Sequence, residues 1–304
     1  MHKSELSKGF KQYSQYSNVN FNLLDSYLSE QSSRDKYYNN IFKLFHTLFK
    51  DSKDIDFILW EVRILKSLKE VYTSALFYCE SEVALKGKNL SSYFFLSYYS
   101  LFHAFLSVLY LDSTMSLDQL FEMTHDKVKK NFINLYCKGK REIISPDIEK
   151  EFELLKFYRE YYSYSMPFNE FFSDLKDLKQ PDQFIRNRLM HCFQIASLLS
   201  NIIENSSHKF NHGIGRLSTG NYKEFEMWFN RVNGKPHPFK PNQYLLDPSD
   251  KYVKGDFIKS MAGQPNCFSI HLEHFMDEFG GYSTDNINTD VVGEANKLVF
   301  RSIG

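Results

Sequence analysis

The sequence predicts a mainly α protein: a helical bundle with an N-terminal helical extension in front of it and an irregular C-terminal region behind it. Three observations carry this. Over the first 210 residues helix breakers are sparse and apolar residues recur at three- and four-residue intervals. Ten of the 13 glycines and five of the 8 prolines fall after residue 212, so the chain changes character there. The aromatic load, 20 Tyr and 29 Phe, mostly follows helical spacing, which assigns it to core packing. The resulting division is an extension over 1–53, a helical domain over 54–211 and an accessory region of mixed structure over 212–304.

Taken in order, the spacing predicts helices over 19–30, 34–50, 54–86, 89–111, 117–138, 146–165 and 182–205. The stretch LSSYFFLSYYSLFHAFLSVLYLDS, residues 90–113, is apolar or aromatic nearly all round, as expected of a helix buried on several sides or shared with a partner subunit. The last of these helices has a start signal in Pro181 and Asp182. Its apolar stripe is Ile185, Leu189, Cys192, Ala196, Leu199 and Ile203. Beyond it, YKEFEMWFNRV reads as a helix, whereas NGKPHPFKPNQ and EFGGYSTDN read as turns. GIGRLSTG, residues 213–220, has neither a GxGxxG nor a P-loop pattern and is read as a turn.

Composition narrows the function. With 37 basic and 37 acidic side chains, no global field draws the chain to nucleic acid, and any polyanion site must be local. The amino terminus MHKSELSKGFKQYSQYS lacks an apolar core, and no apolar run is expected to reach the roughly 18 residues of a membrane span. A cytoplasmic protein without a membrane partner is the expectation. Cys79, Cys137, Cys192 and Cys267 are scattered and form no CxxC pair, so buried free thiols are expected.

The chemistry-bearing stretch is IRNRLMHC, Ile185 to Cys192. Asn187, His191, Gln194, Asn201 and Asn205 form a polar line beside the apolar stripe, because a step of four residues leaves side chains about 40° apart. Arg186 is about 140° from His191 on an ideal helix, and only its length could bring it near. Elsewhere, His103 lies on the apolar helix and reads as a core or interface histidine. His208 and His212, and His271 and His274, lack a third ligand at a familiar spacing, so no metal is expected. Lys223, Arg231, Lys235 and Lys240 interleave with Tyr222, Phe225, Trp228, Phe229 and Phe239. This pattern fits a small core with a charged rim, the favoured reading, or a nucleic-acid surface that combines stacking with phosphate contacts.

Four segments, in order, resemble HEPN domains. Tyr98-Tyr99-Ser100-Leu101-Phe102-His103-Ala104 is similar to their YYA-(L/M)-FHA helix. MTHDKVKKNF resembles the Thr-His stretch that follows, and LLKFYREYYSY the next Arg-containing helix. Arg186-Asn187-x3-His191 resembles the R-x4-H motif. The likeness spans roughly residues 60–205. Phe193 departs from a branch that has tyrosine two residues after the histidine.

The resemblance implies a helical bundle, usually dimeric, and a metal-independent endoribonuclease of a toxin or anti-phage system. By position, Arg186, Asn187 and His191 would be catalytic. Arg188, Arg159 and Gln194 are marked as weaker RNA contacts, and neither a cofactor nor a metal is implied. Such chemistry needs a base for the 2′-hydroxyl, an acid for the leaving oxygen and positive charge on the phosphorane-like transition state. Histidine and arginine supply these near neutrality. One histidine and one motif arginine per chain predict a composite site across a homodimer, with products ending in 2′,3′-cyclic phosphate. Single-stranded or loop RNA is the expected substrate, and an antitoxin or other regulatory partner is expected beside it. The alternative is a non-catalytic HEPN adaptor that binds RNA or a protein.

Overall fold

The computed structural model describes residues 9–165, 184–210, 219–240, 243–260, 264–282 and 289–304, which build a mainly α molecule. Helices α1 (Asn22–Tyr27) and α2 (Gln31–Lys50) come first. Arg34 secures the turn between them, its Nη1 donating to the carbonyls of Leu28 and Ser29 at 2.8 and 3.0 Å. Helices α3 (Asp54–Lys86) and α4 (Leu90–Tyr110) pack along their length as the central hairpin. Their seam is close because both carry serine there. Ser67 Oγ donates to the Ser107 carbonyl at 2.6 Å and Ser74 Oγ to the Ser100 carbonyl at 2.7 Å, so these small side chains satisfy the polar groups they bury. The hairpin turns through Lys88, which takes φ 57°, and Asn89, whose side chain accepts from the Ser92 N–H at 3.1 Å and caps α4.

Beyond α4 the chain runs through α5 (Leu117–Phe121), α6 (His125–Phe132) with a π turn over Ile133–Cys137, α7 (Asp147–Tyr164) and α8 (Ile185–Ser207). Buried Asp112 ties this stretch to the hairpin, accepting from Tyr136 Oη at 2.7 Å and Arg141 Nη1 at 2.5 Å. Burial acts to raise the Asp112 carboxyl, but the Arg141 charge and these hydrogen bonds hold it below the ordinary carboxylate range. Arg63, stacked 4.0 Å over Trp60, donates to the Tyr110 and Asp112 carbonyls. The remaining elements are α9 (Thr219–Asn233), strands β1 (Lys235–Pro236) and β2 (Tyr244–Leu245), α10 (Pro248–Ser260), α11 (Phe268–Tyr282) and α12 (Thr289–Ile303). The strands pair antiparallel, Lys235 with Leu245 and Pro236 with Tyr244.

Several expectations change. The helix expected over 117–138 is divided at Glu122–Thr124, because the Thr124 hydroxyl accepts from the Lys127 N–H and starts a new helix. The described part of the tail is largely helical, and α11 runs through Gly280 and Gly281, where the sequence predicts a turn. Helix α11 packs on α3, α8 and α12, so tertiary packing outweighs the glycine propensity penalty there. Helix α4 has an 18-residue window with mean hydropathy 1.2 and is long and apolar enough to cross a membrane, contrary to the run-length expectation. Two thirds of that window, 67%, is buried inside the fold, as befits a core helix. Pro181, Asp182 and most of GIGRLSTG lie outside the described residues.

Candidate functional site

Helix α8 places the predicted catalytic residues in different surroundings. Arg186 and Asn187, in its first turn, are exposed. Arg186 lines a cleft of about 440 Å³ between α3, α8 and α12, together with Cys79, Glu82, Lys86, Glu294 and Arg301. His191 instead is buried, its ring edge-on to Tyr27 at 6.0 Å between centroids. Burial pushes its pKa down to about 4, against a backbone hydrogen bond at Ile143 that opposes the shift. One chain therefore does not bring Arg186 and His191 together, and His191 is a poor proton acceptor at neutral pH.

The polar line on α8 has another occupant. Gln194 Oε1 accepts from the Leu23 N–H at 2.9 Å, and its Nε2 donates to Asn22 Oδ1 at 2.6 Å. Asn201 accepts from Ser14 Oγ at 2.8 Å, and Asn205 donates to the Tyr13 carbonyl at 2.9 Å. The line is the seam on which the N-terminal extension docks, so Gln194 is a structural side chain rather than an RNA contact. Arg188 is likewise engaged: its Nε and Nη2 donate to the two oxygens of buried Glu151 at 2.6 and 3.1 Å. This fork joins α8 to α7 and leaves Arg188 little capacity for phosphate.

Arg159 stands elsewhere, and it stands with two histidines. Its guanidinium lies 4.3 Å over the Tyr98 ring and 6.0 Å from that of Tyr99. Nη2 donates to Glu160 at 3.2 Å, while its buried Nε has no hydrogen-bond partner among the described residues. Tyr98 Oη is hydrogen-bonded to His125 Nδ1 at 2.9 Å. His125 is half-buried at the start of α6, with the Phe102 ring 4.3 Å and the Tyr99 ring 5.5 Å away. Burial first, then the Arg159 charge and lesser contributions from His103 and Lys156, move the His125 pKa below the usual imidazole value, with Asp126 opposing.

His103 is the other member of the pair. It follows Tyr99 by one helical turn on α4, with 6.4 Å between their rings, so Tyr99 borders both imidazoles. Its Nδ1–H donates to Glu70 Oε2 at 2.5 Å, and Glu70 also meets Lys66 at 2.8 Å. Burial acts to raise the Glu70 carboxyl, but Lys66 and His103 hold it down to about 2, so it is ionised and acceptor-only. That bond fixes the imidazole tautomer and leaves Nε2 as the nitrogen free to exchange a proton. The His103 side chain is 21% exposed and that of Arg159 13%, so the cluster opens to solvent at one side.

The sequence marks His103 as a core or interface histidine and His125 only as part of the Thr-His stretch, with no site role for either, because the two are 22 positions apart and on different helices. The available signal was Thr124 as a helix N-cap, which sets His125 at a helix start, and the Tyr99–His103 spacing. The tail's aromatic pattern is a core only in part: Phe225 and Phe229 are buried, Phe239 is exposed, and Arg231 lies over Phe121 and Trp228 while donating to Asp118 at 2.7 Å. His208 Nδ1 is hydrogen-bonded to Gln264 Nε2, and His271 meets buried Glu61 at 2.8 Å. His212 and the side chain of His274 lie outside the described residues. No protein-family model, curated protein or solved structure matches the chain.

Proposed function

We propose that the protein is a metal-independent endoribonuclease whose acid–base pair is His103 and His125, with Arg159 as the cation for the transition state. The observation that carries this reading is the Tyr99 ring bordering two differently held imidazoles, one bonded to the Glu70 carboxylate and one to Tyr98 beneath an arginine. His125, kept neutral by burial and Arg159, takes the proton of the ribose 2′-hydroxyl. The 2′-oxygen attacks the adjacent phosphorus, the bond to the 5′-oxygen breaks, and His103 Nε2 delivers a proton to that leaving oxygen. The products are a 2′,3′-cyclic phosphate and a 5′-hydroxyl. Arg159 stabilises the charge that builds on the non-bridging oxygens.

All three groups belong to one chain, so this chemistry does not require the composite dimer site expected from Arg186 and His191. The setting implied by the HEPN resemblance, a toxin or anti-phage effector, is retained with the proposal.

The test is cleavage of structured and unstructured RNA in excess EDTA, with product ends resolved. His125→Ala and His103→Ala are each expected to lower the rate by roughly 10²–10⁴-fold, and His191→Gln by far less. Loss of cleavage in His191→Gln with full activity in His125→Ala would return the site to α8. No cleavage by the parent protein across several RNAs would favour the adaptor reading.

A further inference from the structure

Helix α4 continues the site outward as an aromatic stripe. Phe95, Tyr99 and His103 are spaced by four residues and share a face. Phe95 is 44% exposed, a large apolar ring left open to solvent, and its centroid lies 4.7 Å from that of Tyr99. Phe77 of α3 stands behind them, 6.4 Å from Tyr99 and 5.4 Å from His103. The stripe therefore runs from an exposed ring to the two imidazoles and the Arg159 guanidinium, which is 6.0 Å from Tyr99. An apolar flat surface ending at a cation and two histidines complements one ligand chemistry in particular: a flat base attached to a phosphodiester.

Resting on the reading of this site as a ribonuclease, we propose that Phe95 and Tyr99 form a nucleobase-stacking subsite that makes the protein select single-stranded RNA. A base in a duplex is already stacked on both faces, whereas an unpaired base can turn its face onto an aromatic side chain. Stacking on Tyr99 would set the neighbouring phosphate toward Arg159, between His103 and His125, and Phe95 would receive the next base. Stacking reads the π-face common to all bases, so weak sequence preference is expected.

The experiment measures binding and cleavage separately. Fluorescence anisotropy with a 2′-O-methyl oligonucleotide, which lacks the nucleophile and cannot be cleaved, reports affinity for single strands and for the same sequence in a duplex. Phe95→Ala, an exposed position that the core does not need, is expected to weaken single-strand binding on the order of tenfold and to leave duplex binding unchanged, while Phe95→Trp restores it. Tyr99→Phe, which keeps the ring, is expected to bind as the parent does. Equal affinity of parent and Phe95→Ala for the single strand would overturn the proposal. So would a parent protein whose self-association in sedimentation is abolished by Phe95→Ala with no change in RNA affinity, which would make the stripe a contact between copies of this chain. Weakened binding in Phe95→Ala beside a parent that cleaves nothing would uphold the subsite and remove the nuclease reading instead.

Discussion

His125 and His191 are the same side chain in two settings. His191 is buried with its pKa down at about 4, whereas half-buried His125 faces Arg159 and the site opening. The contrast has separate consequences for stability and for rate. The folded protein holds His191 neutral, so the unfolded chain binds the extra proton as pH falls through the ordinary imidazole value. Its stabilising contribution is complete above about pH 6.5 and is lost on going down toward pH 4. Between pH 7 and 5 the parent should lose about 2 kcal/mol more stability than His191→Gln, measured by urea denaturation. For rate, His125 must be neutral to accept a proton. The acid limb of the pH–rate profile is therefore expected below pH 6.5, since the pKa is lowered. Arg159→Gln removes one cause of that lowering, so it should move the limb to higher pH as well as slow cleavage. An unmoved limb would mean that Arg159 does not face His125 in the active protein.

At the scale of elements, most helices from α2 to α8 were legible because their apolar residues recur at helical spacing, although the single helix expected over 117–138 is divided into α5 and α6. Asn89 and Thr124 show how caps fix the starts. The role of α8 was legible only in part. Its apolar stripe is buried as the spacing required, yet its polar line, read as a substrate face, holds the N-terminal extension through Gln194, Asn201 and Asn205. A polar line on a helix has the same sequence signature whether a substrate or another segment of the same chain satisfies it. Arg188 illustrates this: its spacing suits a phosphate contact, but Glu151, 37 positions away, takes both arms of its fork. Arg188→Ala should leave the Glu151 carboxylate buried without its cation and destabilise the protein by about 3 kcal/mol in denaturant titrations. RNA affinity per folded molecule should not change.

Across the whole molecule, the C-terminal region is joined to the bundle rather than set apart from it. Helix α12 covers α3 and α8 with Ala295, Leu298 and Val299, all buried, and buried Glu61 of α3 accepts from the Asn266 N–H at 2.7 Å and meets His271. Leu298→Ala should therefore cost about 3 kcal/mol of global stability, as a truncation in a core does, and a single cooperative transition should report it. A small loss confined to the tail would instead mark the region as a separate unit. By itself the sequence determined the mainly α class and the positions of most helices in the bundle, because periodicity and caps act over a few residues. Only the tertiary structure decided that His103, His125 and Arg159 meet around Tyr99. Proximity among side chains 22 to 56 positions apart is set by how helices pack, and a linear pattern carries no term for it.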